Sequence, residues 1–289
     1  MIWSKRNILF LSASADTRIL WLLRIASGIA ASLVLLILFF LLAESLPLLW
    51  EVRTARFITD TSWHPVEGAY NLAPMLSGTL YAAGGALFLA TPLGIASALF
   101  VAYYAPPRLG GIYLRLVELL AGIPSVVYGF WGLTTLVPLI NELHPPGASL
   151  LAGTLVLTLM ILPTIALTAH VALRALPAEY LHSAAALGMS RWGIIRGVVL
   201  PAARMGITAG IILAAGRAIG ETMAVLMVTG NVVQYASTVY DPIRTLAANI
   251  ALEMPYALGD HRAALFVTGL ALMLLVLALW SAAARIGRD

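Results

Sequence analysis

Apolar residues in this chain come in long blocks rather than in alternation or on one helical face. Six blocks stand out, at about residues 20–46, 72–104, 116–140, 148–173, 205–229 and 263–284. Each reaches or exceeds the roughly 20 residues that carry an α-helix across hydrocarbon. The first has an apolar core, residues 25–43, longer than the ~7–15 residues of a cleaved leader, so it reads as a retained anchor. Polar stretches at 50–71, 174–204 and 230–262 separate the blocks. The pattern predicts an all-α, polytopic membrane helix bundle of about six transmembrane helices. Residues 1–71 hold a tail, the first helix and an outer segment, and 72–285 hold the main transmembrane domain. Pro92, Pro124 and Pro163 fall inside blocks and free backbone groups at depth, which is tolerated where other helices or water cover them. They read as kinks or as hinges.

Composition agrees with this picture. Of 289 residues, 61% are hydrophobic and 10% charged, against roughly 25% charged in soluble domains. Cysteine is absent, and the five histidines show no metal-ligand spacing, which excludes a disulfide framework and thiol chemistry. Basic residues set the orientation. With the N-terminus cytoplasmic, twelve lie inside (Lys5, Arg6, Arg18, Arg24, Arg108, Arg115, Arg174, Arg191, Arg196, Arg204, Arg285, Arg288) and four outside (Arg53, Arg56, Arg244, Arg262). The excess of basic residues on cytoplasmic loops predicts both termini on the cytoplasmic side. Segment 174–204 is then cytoplasmic and 230–262 is outside.

Two stretches carry candidate chemistry. In the cytoplasmic segment a short helix, a glycine corner at Gly188 and a second helix ending before Pro201 are expected, with small residues at 183–186 and apolar Trp192, Ile194 and Ile195. By itself this is either a docking element or an amphipathic loop lying on the membrane. In the fifth block, Arg217 and Glu221 stand four apart, so one helix face would carry both. An arginine at mid-membrane costs about 2.5–3.5 kcal/mol on insertion scales, and such residues face a bundle interior or a wet cavity. The pair is either an ion pair pinning helices or part of a pathway, and flanking Gly216 and Gly220 suit both. Ser125, Tyr128, Thr164 and Thr222 either line that pathway or donate to their own helix backbone. Arg115 and Glu118 are expected to pair locally, His170 to sit at a helix end, and residues 245–254 to form a helix against a partner or the membrane surface.

An intramembrane enzyme is the contrasting class. It needs a nucleophile–base pair or a metal triad; cysteine is lacking and no histidine pair shares a helix face. A phosphate-cradling Gly-x-x-x-x-Gly-Lys loop is lacking as well, since the single lysine is Lys5, so any ATP and Mg would be bound elsewhere.

The cytoplasmic segment resembles the coupling motif of bacterial ABC importer permeases: Glu-Ala-Ala, three residues, Gly, nine residues, then aliphatic, any, Leu-Pro. Gly188, Val198, Leu200 and Pro201 match, within coupling helices near 177–200. The Glu-Ala-Ala positions are His182, Ser183 and Ala184, so the glutamate is missing; Glu179, one turn earlier, is its candidate substitute. The stretch from Gly216 to Met227 resembles the Pst-type phosphate permeases. Gly78-Thr79-Leu80, the run from Glu118 to Gly129 and Met160-Ile161-Leu162-Pro163-Thr164 do so too. Thr222-Met223-Ala224-Val225 followed by Gly230-Asn231 is similar to the PstC rather than the PstA kind. The resemblance implies a type I importer fold, phosphate as cargo, a PstA-like permease, a PstB-like ATPase dimer that holds the nucleotide, and a periplasmic phosphate-binding protein. Permeases for sulfate or molybdate are the alternative.

Overall fold

A computed structural model describes residues 13–286. Lys5, Arg6 and Arg288 of the orientation count lie outside the described residues. Helix α1 (Ala13–Glu51) crosses first, and an outer segment follows: α2 (Arg56–Thr59) and a two-strand hairpin, β1 (Trp63–His64) with β2 (Ala69–Tyr70), in which Trp63 faces Tyr70. Helix α3 (Ala73–Leu99) returns and ends in a π turn, Phe100–Tyr104. An amphipathic helix α4 (Pro107–Gly122) precedes the third crossing, made of α5 (Ser125–Trp131), a π turn at Gly132–Leu136 and α6 (Val137–Leu143). Helix α7 (Leu150–Arg174) is the fourth crossing. Next along the chain come α8 (Ala178–Ala186) and α9 (Arg191–Ile194). A π turn at Ile195–Val199 then runs α9 into α10 (Leu200–Gly220), and α11 (Met223–Val228) follows after a break. Then α12 (Leu246–Glu253) leads to the last crossing, α13 (Gly259–Ile286). Six helical stretches are long and apolar enough to span a bilayer.

Two boundaries differ from the sequence pattern. The third block is two helices, because Ile123 and Pro124 take extended backbone and Pro124 cannot donate to the helical ladder. Pro92 and Pro163, by contrast, sit inside unbroken helices. The second cytoplasmic helix does not end before Pro201. It continues into the fifth span as Arg191–Gly220, with Pro201 in the first turn of α10, where its missing N–H is tolerated.

Helix α7 is the axis of the bundle. Along α3, Ala82, Ala86, Ala90, Gly94 and Ala98 recur every four residues, all buried against it. A Cβ at Gly94 would lie 2.8 Å from Ile165 Cγ2, so only glycine permits this approach. On α10 the matching stripe is Gly206, Gly210, Ala214 and Ala218; a Cβ at Gly210 would overlap the Thr168 hydroxyl. Small residues at these spacings let helices approach closely enough for dispersion to hold them in lipid. Gly216 and Gly220 do not serve this purpose: a Cβ at Gly220 meets nothing within 4 Å.

Helix α1 packs on α13 at its outer half, where Phe40 meets Phe266 edge-on at 5.4 Å between ring centres. Its inner half presents Ile19, Leu23, Ile29, Leu33 and Leu36 to the surroundings. A helix exposing that much apolar surface is stable only against hydrocarbon or another protein.

Candidate functional site

The fifth crossing is broken where the sequence pattern reads it as continuous. Helix α10 ends at Gly220, Glu221 is extended (φ −67°, ψ 130°), and α11 starts at Met223. Arg217 and Glu221 therefore do not share a helix face, and no ion pair joins them among the described residues. Arg217 stands in the last turn of α10, where a cation complements the carbonyl end of the helix. Its Nη1 donates to Thr164 Oγ1 of α7 at 3.3 Å, its sole hydrogen bond among the described residues. Thr164 itself sits on the helix that carries the small-residue contacts, so the stripe of α10 fixes Arg217 beside it. Glu221 Oε1 accepts the Ala224 N–H at 3.1 Å, which caps α11, and Thr222 Oγ1 donates to Gly220 O at 3.2 Å.

The third crossing completes the region. Helix α5 packs on α11, with Gly129 so close to Ala224 that a Cβ there would lie 2.8 Å from its Cα. This brings Ser125 and Tyr128 to the side of the break. The Tyr128 hydroxyl donates to Leu120 O at 2.8 Å across the α4–α5 interruption, a second donor beside the Ile123 N–H at 3.2 Å on a carbonyl whose i+4 partner, Pro124, has no N–H to give. Ser125 makes no hydrogen bond among the described residues. Of the six residues read as a pathway, then, Thr164 and Arg217 touch, Glu221 and Thr222 form the break, and Ser125 and Tyr128 line the neighbouring helix.

The surroundings of the break decide what can lie next to it. Gly220 is exposed, and Arg217, Glu221 and Thr222 are half-buried. Non-helical backbone at membrane depth is tolerated only where protein or water covers it. The exposed side of residues 220–222 therefore faces another subunit or an aqueous path, not lipid.

Between α8 and α9 the corner at Gly188 is a helix stop. Gly188 has φ +74°, its N–H bonds Ala185 O at 3.0 Å, and Met189 N–H bonds Ala184 O at 3.3 Å, the paired bonds of a Schellman motif. Ser190 then caps α9 through Gly193 N–H at 3.1 Å. Ala184 is buried beneath α8, whereas Glu179, His182 and Ser183 point outward. An open groove of about 680 Å³ runs between α8 and α10, lined by Ser183, Ala184, Leu187, Val198 and Pro201 among others. Leu200, half-buried, is not among the lining residues. Leu187 is 83% exposed and Trp192 59%, an apolar rim characteristic of a docking surface.

Some expectations fail. Arg115 and Glu118 form no ion pair among the described residues. Residues 245–254 do form a helix, α12, but Leu246, Ala247, Ala248 and Asn249 are buried against α3 and α13 instead of lying on an outer surface. The sequence reading also missed an outer charged cluster of Arg244, Glu253 and His261. Its signal was available: three of the four outside arginines that break the inside bias have acidic partners, Asp60 for Arg56, Glu253 for Arg244 and Glu44 for Arg262.

Known proteins similar to this chain in sequence or in shape agree with a permease fold. The sequence model for the binding-protein-dependent transport system inner membrane component matches residues 90–288. A probable ABC transporter permease protein, YqgH, of Bacillus subtilis is 40% identical over 207 residues, covering 70% of this chain and 67% of the relative. The phosphate transport system permease protein PstC of Xylella fastidiosa is 33% identical over 269 residues, covering 84% and 83%. PstC 1 of Mycobacterium tuberculosis is 36% identical over 254 residues, covering 79% and 75%. Among solved structures, a bacterial alginate ABC transporter in complex with its pentasaccharide-bound periplasmic protein has a chain superposing with TM-score 0.65 at 16% identity, over 95% of this chain and 96% of that one. The MetNI methionine transporter, inward facing, gives 0.58 at 21% identity, over 75% and 93%. At such identities the two structures speak for the fold.

Proposed function

This chain belongs to the binding-protein-dependent transport system inner membrane component family, among its PstC-type phosphate permeases, and from that premise we propose that it forms half of an ATP-driven path for inorganic phosphate. The observation that carries the residue-level reading is the broken fifth crossing. It places Arg217, with guanidinium N–H groups to spare, and Glu221, with one oxygen uncommitted, beside backbone that lipid cannot cover. A PstA-like permease covers the other side of the path. A PstB-like ATPase dimer binds ATP and Mg and docks in the groove beside Gly188, and a periplasmic phosphate-binding protein delivers the anion. Both termini are cytoplasmic.

Arginine offers a planar fork of donors that fits an oxyanion. A carboxylate nearby repels an anion unless the anion still carries a proton to donate. Phosphate near neutral pH keeps at least one hydroxyl; sulfate keeps none and only accepts. Glu221 thus favours phosphate and rejects sulfate through an unfavourable contact with the wrong ligand. The two residues do not neutralise each other between cycles. Instead Thr164 holds the arginine and the α11 backbone holds the carboxylate, so both stay pre-set.

The test is uptake by the reconstituted complex. Arg217→Gln removes a charged hydrogen-bond donor worth about 1.5–3 kcal/mol, so phosphate uptake falls by roughly tenfold to a hundredfold while assembly is kept. Glu221→Gln retains phosphate uptake in part and relaxes sulfate exclusion, read with a binding protein that delivers either anion. Uptake by Arg217→Gln at the unmodified rate places the path elsewhere.

A further inference from the structure

On the outer side, one carboxylate gathers donors from segments far apart in sequence. Glu253, ending α12, accepts from Arg244 Nη1 at 2.6 Å and from Trp63 Nε1 of β1 at 2.9 Å, and His261 Nε2 of α13 lies 2.9 Å from the oxygen that Trp63 reaches. The three ionisable side chains are 10–18% exposed. Arg244 passes the connection inward. Its Nη1 also donates to Asn249 Oδ1 at 3.0 Å, and its Nε donates to the Asn231 carbonyl at 2.9 Å. Asn231, held at φ +56°, donates from Nδ2 to Leu226 O at 2.7 Å, in the last turn of α11. An unbroken chain of contacts thus runs from β1, α12 and α13 to the outer end of α11.

That end needs an anchor. Helix α11 has six residues, too few to be stable alone, and the non-helical residues 220–222 separate it from α10. Its position is set by what it touches: α5 and α7 along its sides, and at its end the Ser149 N–H on Val228 O at 3.1 Å, the Ile243 N–H on Thr229 O at 2.9 Å and the Asn231–Arg244–Glu253 chain, which alone ties it by side chains to β1 and α13. We propose that Arg244 and Glu253 are positioning residues for transport, clamping the outer end of α11 so that Glu221 at its inner end is held in place and the path is closed from outside. The role of Glu221 in this statement rests on the phosphate path described above; the clamp on α11 does not.

The chain has no cysteine, so label on this subunit, separated from its partners after the reaction, reports one introduced thiol. Met227 of α11 lies against α5, its Sδ 3.0 Å from where a Cβ on Gly129 would stand, so a Met227→Cys thiol is shielded while α11 stays clamped. In the assembled complex, two quantities are read: labelling by a membrane-impermeant maleimide from outside, and ATP hydrolysis without the phosphate-binding protein. Glu253→Gln raises both by about fivefold or more, the span of a coupling of ~1–3 kcal/mol. Glu253→Asp restores them in part, and Trp63→Phe, which removes one donor, raises them less. A merely structural carboxylate would lower assembly without raising hydrolysis in the complexes that form. Unmodified labelling and hydrolysis in assembled Glu253→Gln overturn the proposal. Where that variant does not assemble, Trp63→Phe decides in the same way. Faster labelling together with unimpaired uptake by Arg217→Gln would keep the clamp and refute the path.

Discussion

Single residues here act through backbone conformation as much as through side-chain chemistry. Gly188 has open space around it, since an added Cβ meets nothing within 4 Å. A substitution is therefore resisted only by its left-handed φ of +74°, which costs a β-carbon-bearing residue about 1–2 kcal/mol. Asparagine visits that region more readily than leucine does. Gly188→Leu should thus weaken ATPase association in pull-down and uncouple hydrolysis from uptake, with Gly188→Asn intermediate and membrane insertion normal in both. Equal loss in the two variants would point to a steric role instead. Gly188 was legible as a corner because glycine ahead of a polar residue and a second apolar run is a helix-stop signal. Glu221 was legible as important but not in its geometry: a spacing of four implies a shared face only if the helix continues. Gly220-Glu221-Thr222 contains no proline to announce that it does not.

At the scale of elements, the bundle is held by two seams of small side chains rather than by large interlocking ones. The seams were present in the sequence as Ala82, Ala86, Ala90, Gly94 and Ala98, and as Gly206, Gly210, Ala214 and Ala218. Both are periodic, yet uniform hydrophobicity hides which face of a membrane helix looks inward, so the flanking Gly216 and Gly220 drew attention instead. The seam gives a sharp expectation. Gly94→Val forces a branched side chain into Ile165 and Ala166; overpacking of this kind costs about 1–3 kcal/mol. Gly84→Ala, on the same helix with nothing within 4 Å, costs none of it. Thermal unfolding of the purified subunit in detergent should separate the two, and equal melting temperatures would show that α3 and α7 do not meet as closely as described. Helix number and order were legible because each span must satisfy its own backbone hydrogen bonds in hydrocarbon. The hairpin at residues 63–70 was not, being two residues per strand and held by its surroundings.

Across the whole molecule, the groove lined by Val198 and Pro201 and the side chain of Arg217 belong to one uninterrupted helical rod, Arg191–Gly220, 30 residues long and so about 45 Å at 1.5 Å per residue. A shift imposed at the cytoplasmic end reaches Arg217 through that rod with no loop to absorb it. The π turn at Ile195–Val199 sets how the two ends are aimed. A π turn holds one residue more than the α-helical turn it replaces, and one residue of α-helix is about 100° of rotation. Gly197→Ala, which favours regular helix with the residue count kept, should let the segment rewind at about 100° per residue, so that the surplus residue carries Arg191 and Trp192 about a quarter-turn around the axis relative to Arg217. Such a variant inserts and keeps its transmembrane packing, but points its cytoplasmic face in a new compass direction. Cross-linking to the ATPase should then be lost at positions flanking Trp192 while contacts within the membrane persist. The alignment between engine and channel is in this sense a matter of angular timing, and a single surplus residue keeps it.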